Sequence, residues 1–333
     1  MSLDAAATKP HERMAEALEA DLQAVNALIR DRMASKHAPR IPEVTAHLVE
    51  AGGKRLRPML TLASAKLCGY AGPYHIHLAA TVEFIHTATL LHDDVVDESK
   101  QRRGRPTANL LWDNQSSVLV GDYLFARSFQ LMVETGSIRV LDILSNAAAT
   151  IAEGEVLQLS VAQNTATVEE TYIQVVRGKT AALFSAATEV GGVIADQPEA
   201  VQKALFDYGD ALGIAFQMVD DLLDYGGTTG VIGKNIGDDF RERKLTLPVI
   251  RAIAAGSSEE RAFWERTIGK GEQYEGDLEE ALTLMACHGT LESTRDTARA
   301  YITRAKAALA HAPDHALRDM LVDLADYVVA RVK

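Results

Sequence analysis

The chain has 333 residues, 47% of them hydrophobic and 24% charged, with a formal net charge of −12. That length and apolar content suit a sizeable core in one or two domains, and the acidic balance argues against general nucleic-acid binding and against a polybasic membrane anchor. Cys68 and Cys287 form no C-x-x-C or zinc spacing, no apolar run reaches bilayer length, and the N-terminus has no apolar signal segment, so the sequence reads as reduced and cytoplasmic with no transmembrane span.

Nearly every long segment has helical period, and no alternating strand with a hairpin turn stands out. Residues 1–10 are expected to be a flexible N-terminus and residues 11–333 one all-α domain. Helices are predicted over 11–35, 41–50, 57–69, 74–99, 115–135, 139–163, 168–191 and 198–225. Five more follow over 244–254, 258–270, 276–287, 290–310 and 314–331. Thr167-Val168-Glu169-Glu170 and Ser257-Ser258-Glu259-Glu260 read as capping boxes, and Pro58 and Pro198 suit first helical turns.

The first unusual stretch is A-G-G-K-R-L-R-P at 51–58. It puts Lys54, Arg55 and Arg57 at a helix N-terminus, the wrong end for cations. A bound phosphate would resolve the conflict, because free backbone N–H groups collect there too. The next is L-L-H-D-D-V-V-D-E-S-K-Q-R-R-G at 90–104. On a helix Asp93 and Asp97 lie about 40° apart, one turn from each other, and His86 lies two turns earlier on the same face. Such carboxylates repel, more so beside apolar neighbours. Arg102 and Arg103 follow at once. Further along, F-Q-M-V-D-D-L-L-D-Y at 216–225 repeats the spacing with Asp220, Asp221 and Asp224. A solvated acidic face would explain one such stripe. Two in an all-α chain suggest a cation site, with Mg²⁺ preferred because it takes few protein carboxylates and keeps water and phosphate oxygens. An EF-hand calcium site is excluded, since the ligands are helical and the loop glycine is missing. Lys179, in R-G-K-T, and Lys234, in G-K-N-I-G-D-D-F, are further candidates. No Ser-His-Asp or Cys-His set calls for a side-chain nucleophile.

Together these segments resemble the all-trans polyprenyl diphosphate synthases, head-to-tail elongators of isoprenyl chains. The resemblance rests on G-G-K-R-L-R-P at 52–58, H-T-A-T-L-L-H-D-D-V-V-D at 86–97, R-R-G at 102–104, G-K-T at 178–180, F-Q-M-V-D-D-L-L-D at 216–224 and G-K-N-I-G-D-D at 233–239, in family order. It implies a single-domain antiparallel helical bundle around a deep central cavity, usually a homodimer. Asp93, Asp97, Asp220 and Asp224 would bind Mg²⁺, about three ions per site bridged by substrate diphosphate. Arg102, Lys179, Thr180, Gln217 and Lys234 would hold the allylic diphosphate, and Lys54, Arg57, His86 and Arg103 isopentenyl diphosphate.

Ala88 and Thr89, one turn below Asp93, are small where short-chain relatives tend to carry a large aromatic floor. The resemblance therefore implies a long product of about C40 to C50, suited to a ubiquinone side chain, with Phe129 or Met132 closing the tunnel further down. A short-chain farnesyl or geranylgeranyl synthase is the alternative. A class I terpene cyclase would not need Lys54, Arg57 and Arg103 together, and a non-catalytic subunit would usually have lost one acidic motif. One departure stands out. Relatives commonly show E-G-K-x-T-L-P, whereas this chain has Glu242-Arg243-Lys244-Leu245-Thr246-Leu247-Pro248. Loss of the glycine removes easy access to positive φ and leaves the geometry at Lys244 open.

Overall fold

The computed structural model describes residues 8–50, 53–102, 104–226 and 236–332, so all but Thr8, Lys9 and Pro10 of the expected flexible N-terminus lies outside the described residues. The described chain is all-α apart from one two-residue ladder. In order its helices are α1 Pro10–Ala17, α2 Glu19–Met33, α3 Arg40–Glu50, α4 Leu56–Leu67, α5 Tyr74–Val96, α6 Ala108–Leu111, α7 Asn114–Glu134, α8 Ile138–Val161 and α9 Glu169–Val176. After a π-helical turn at Arg177–Ala181 come α10 Ala182–Ile194, α11 Glu199–Gly226, α12 Asp238–Arg241, α13 Leu247–Ala255 and α14 Ser258–Trp264. A second π turn, Glu265–Gly269, leads to α15 Asp277–Cys287, α16 Thr290–Ala308 and α17 Ala316–Ala330.

Several expectations are corrected. The 11–35 helix breaks at Leu18 (φ −112°, ψ 14°), where neither Gly nor Pro gives warning. The Ser257 capping box forms, with Glu260 reciprocating. The Thr167 one does not: Val168 occupies the N-cap position without a side-chain bond. Pro198 sits just before α11 rather than in it. Gln101–Arg102 pairs antiparallel with Arg105–Pro106, a short ladder that the sequence did not announce. Gly104, at φ 74°, makes the turn between them, a conformation that costs glycine little.

The chain divides into two compact units. Unit 1 comprises Met1–Ala148, Leu183–Phe206 and Leu309–Leu324. Its α5 is apolar nearly all round, with Leu78, Ala79, Ala80, Val82, Phe84 and Ile85 all buried. A helix buried on every side is stabilised by packing rather than by one amphipathic face, at about 1.5–3 kcal/mol per fully buried large apolar side chain. Small residues let backbones touch here. A Cβ added at Gly191 of α10 would lie 2.6 Å from the Ala65 amide nitrogen of α4.

Unit 2 comprises Ala149–Ala182, Asp207–Ala308 and Ala325–Lys333. One core cluster gathers Tyr225, Phe240, Val249, Trp264, Ile268 and Met285. Phe240 and Phe263 both meet Trp264 edge-on, with centroids 6.4 and 5.2 Å away, the geometry that aromatic quadrupoles favour.

Candidate active site

In unit 1 the basic turn before α4 starts with Arg55 in the left-handed region (φ 47°, ψ 36°), and its guanidinium pairs with buried Glu83. Arg57 lies 3.2 Å from His86 Nε2, with its guanidinium 4.6 Å from the Phe184 ring centroid. Two residues of the expected isopentenyl diphosphate set are thus brought together. Lys54 is exposed. Arg103, of the same set, lies outside the described residues, as does Lys234.

Helix α5 stops at Val96, so Asp97 is its C-cap rather than an interior residue, with its N–H on the Asp93 carbonyl. Asp93 is half-buried and Asp97 exposed. Asp94, which the sequence left without a role, is fully buried. Its Oδ1 accepts from Arg102 Nε at 2.9 Å and Nη2 at 2.8 Å, and its main-chain oxygen accepts from Asn109. Its Oδ2 is buried without a hydrogen-bond partner among the described residues. After α5 the chain reverses at Glu98 (φ 51°), with the Ser99 N–H on the Asp94 carbonyl, and so returns Arg102 to the helix end. A charge-assisted pair of this kind fixes the arginine fork. Arg102 and His86 line one pocket with His47, Leu48, Glu83, Thr87, Leu90, Pro106 and Thr107. There His47 Nε2 lies 2.9 Å from the Pro106 carbonyl oxygen.

On the same helix Ala88 is fully buried, whereas Thr89 is half-buried and donates its hydroxyl to the His86 carbonyl. Met132 is fully buried, but Phe129 is 42% exposed. Phe129 therefore belongs to an outward stripe of α7 with Leu119 and Val133, and only Met132 of the two faces the interior of the unit.

In unit 2 the π turn carries Gly178, Lys179 and Thr180. A Cβ at Gly178 would come within 2.8 Å of Gly154 Cα, and one at Gly154 within 2.7 Å of the Lys179 amide nitrogen, so α8 and this turn touch backbone to backbone. The extra residue of a π turn is common at functional positions. The crossing sets Glu155 beside Lys179, with Oε2 2.9 Å from Nζ. Thr180 donates to Gln217 Oε1 at 2.9 Å. Gln217 Nε2 donates to Asp221 Oδ1 at 2.9 Å, and the Tyr172 hydroxyl donates to Asp221 Oδ2 at 2.6 Å. Thr180 and Gln217, both expected at the diphosphate, thus sit in one hydrogen-bonded chain anchored on buried Asp221. Glu155 and Tyr172 are the participants that sequence reasoning missed, and Asp94 and Asp221 are members of the acidic stripes to which it gave no role of their own.

Burial pushes the Asp221 carboxyl up to about 7, with the charges of Asp239 and Asp220 adding to it and the two donated hydrogen bonds opposing it. Its folded value exceeds its unfolded one, so its stabilising contribution is complete below about pH 4 and lost as pH rises through 7. At 1.36 kcal/mol per pH unit the ionised group costs about 4 kcal/mol at pH 8. Melting of EDTA-treated protein from pH 5 to 8 should show this fall, and Asp221→Asn should flatten it; parallel curves for the two proteins would refute the assignment.

Asp220 is half-buried. Asp224 is buried, and its Oδ2 accepts from the Asp239 N–H at 3.0 Å. Arg243 adopts φ 61°, so the glycine-like backbone survives the substitution. Lys244 pairs with Asp239 at 3.3 Å and Glu242 at 2.6 Å. Burial works against its charge, but these two carboxylates outweigh burial and hold the ammonium above its ordinary value.

The aspartates offer oxygen donors only, and three of the four are at least half-exposed or partly accessible, a set that fits a hard divalent cation retaining water or phosphate in most positions. Among the described residues no three His, Cys, Asp or Glu side chains gather closely enough to cage a metal by themselves.

An all-α chain with two acidic helix ends, the first carrying the Arg102 fork, has the make-up of a diphosphate-handling helical enzyme. A polyprenyl synthetase family model matches residues 38–285, and the chain belongs to that family. It is 44% identical over 96% of its length, and 98% of the relative's, to octaprenyl diphosphate synthase of Escherichia coli. It is 73% identical to the crystal structure of a decaprenyl diphosphate synthase from Rhodobacter capsulatus, with a TM-score of 0.95 over 97% of this chain and 100% of that one. A polyprenyl synthase from Caulobacter crescentus, complexed with calcium and isoprenyl diphosphate, is 51% identical with a TM-score of 0.91, covering 97% and 98% of the two chains. The fold is the all-α isoprenoid synthase fold of these enzymes.

Proposed function

We propose that the chain is a Mg²⁺-dependent synthase that adds isopentenyl diphosphate head-to-tail to an allylic diphosphate and makes an all-trans product of about C40 to C50 for a ubiquinone side chain. Its near end-to-end likeness to octaprenyl and decaprenyl synthases carries this reading. Residues 11–333 form the synthase domain. Asp93 and Asp97, with Asp220 and Asp224, would hold the magnesium, about three ions, that accompanies the allylic diphosphate. Bound magnesium supplies Lewis-acid neutralisation of the leaving group.

The side chains do the rest. Asp94 presents Arg102, and Glu155 presents Lys179, as cations for the allylic diphosphate, helped by Lys234. The Tyr172–Asp221–Gln217–Thr180 chain fixes the polar atoms that meet it. Lys54, Arg57, His86 and Arg103 hold isopentenyl diphosphate. The C1–O bond of the allylic substrate breaks, the isopentenyl double bond attacks C1, and a proton leaves. Apolar residues around the growing chain keep water from the cation.

The enzyme works in the cytoplasm as a homodimer. Support for the dimer comes from the outward stripe of α7, where Leu119 is 66% and Val133 64% exposed, because apolar patches of this kind mark contact surfaces. Among the described residues no helix is long and apolar enough to cross a membrane.

The decisive assay combines purified chain, Mg²⁺, labelled isopentenyl diphosphate and an allylic primer, with products resolved by chromatography. A ladder ending near C40 to C50 supports the reading, a cyclic hydrocarbon points to a terpene cyclase, and no incorporation refutes elongation. A ligand at 100 times Kd adds about 2.7 kcal/mol of stability. Diphosphate with Mg²⁺ should therefore raise Tm more than either alone, and an equal shift from diphosphate in EDTA would show that the carboxylates bind no metal.

A further inference from the structure

We infer that Arg243 is a positioning residue for the allylic diphosphate site: its guanidinium clamps the segment 236–246 to the π turn Glu265–Gly269 and so keeps the Asp239 N–H on the Asp224 carboxylate. Arg243 stands in the left-handed region at φ 61°, where any side chain is disfavoured. Something must favour arginine over glycine there. Its fork supplies it: Nε donates to the Ile268 carbonyl at 2.9 Å and Nη2 to the Gly269 carbonyl at 2.6 Å. Carbonyls at a helical C-terminus lack intrahelical donors, and a cation there also suits the dipole. Gly271 leaves room for the fork, because a Cβ at that position would lie 2.7 Å from Arg243 Nη1.

A second strap joins the same two segments: Gln273 Nε2 donates to the Phe240 carbonyl at 2.8 Å and to the Thr267 carbonyl at 3.2 Å. From the clamp the path to the acidic helix is short. The Arg243 N–H donates to the Phe240 carbonyl and the Lys244 N–H to the Asp239 carbonyl. The Asp239 N–H donates to Asp224 Oδ2, and the Gly237 N–H to the Asp224 carbonyl. A carboxylate held by a backbone N–H keeps its free lone pairs pointed in one direction, and loss of such outer support typically weakens metal binding about 10–100-fold.

The inference rests on Asp224 being a metal ligand, as proposed above, and the test separates the two. Arg243→Gly keeps the backbone conformation and removes the fork, while Arg243→Ala removes both. Amide hydrogen exchange over 236–246 without ligand reads the clamp directly. Exchange should speed in both variants, whereas the Mg²⁺ concentration for half-maximal rate and the KM of the allylic primer should rise about tenfold. The KM of isopentenyl diphosphate should stay within about twofold of wild type; general destabilisation would instead lower the active fraction and leave both KM values unchanged. Unchanged exchange in Arg243→Gly overturns the clamp. Faster exchange with unchanged Mg²⁺ and primer dependence overturns the positioning role. A wild type active without divalent cation overturns the reading of Asp224 instead, and the exchange result still decides the clamp.

Discussion

Asp93→Ala and Asp220→Ala should each lower turnover about a thousandfold or more. Each change removes one oxygen donor of the proposed magnesium set while its neighbours stay in place. Metal neutralisation of a departing diphosphate supplies several kcal/mol of charge stabilisation, and each 1.36 kcal/mol lost is tenfold in rate. Both side chains are half-buried, so their removal opens no large cavity, and loss of Asp220 also relieves its repulsion of Asp221. Tm in EDTA should therefore stay close to wild type. Asp94→Ala should behave differently. That carboxylate is fully buried and holds the Arg102 fork, so its loss strands a cation and lowers Tm as well as primer binding. Steady-state rates with saturating Mg²⁺, alongside melting curves, separate these patterns. Near-normal turnover in both Asp93→Ala and Asp220→Ala would end the two-motif reading.

What the sequence disclosed was local. Carboxylates one turn apart, cations at a helix N-terminus and apolar period are all relations within a few residues, and they located both acidic stripes, the Arg57 turn and the Lys179 segment. What it concealed depends on contacts across the chain. Asp94 meets Arg102 because α5 ends at Val96 and the chain reverses at Glu98, a residue that carries no turn signal. The π turn at Lys179 keeps helical composition, so its period gives no signal, and the Gly154 backbone that it packs against is far away in sequence. Arg243 was visible as a departure from glycine, but the carbonyls it clamps belong to residues 268 and 269. Phe129 and Met132 lie about 60° apart on a helix, too close for periodicity to say which one turns inward.

Thr89→Phe should shift the main product from about C40–C50 towards C15 or C20 while leaving the first condensation active. In the proposed reading the chain grows away from the diphosphates along the apolar side of α5, and Thr89 lies about 6 Å below Asp93 along the helix axis. Thr89 is only half-buried, so a ring there has somewhere to go, and the hydroxyl it replaces merely bonds to the His86 carbonyl one turn back. Ala88 is the wrong place for the same experiment. It is fully buried, and a ring forced into a packed interior costs about 1–3 kcal/mol and moves its neighbours. Ala88→Phe should thus lower Tm without a clean change of product, whereas Thr89→Phe should change product length at nearly constant Tm. Met132, buried on α7, offers the complementary test: Met132→Ala should leave products as long or longer. Chromatography of labelled products decides the matter. If wild type already stops at C15 or C20, or if Thr89→Phe still makes the wild-type product, the floor that sets length is not on this face of α5.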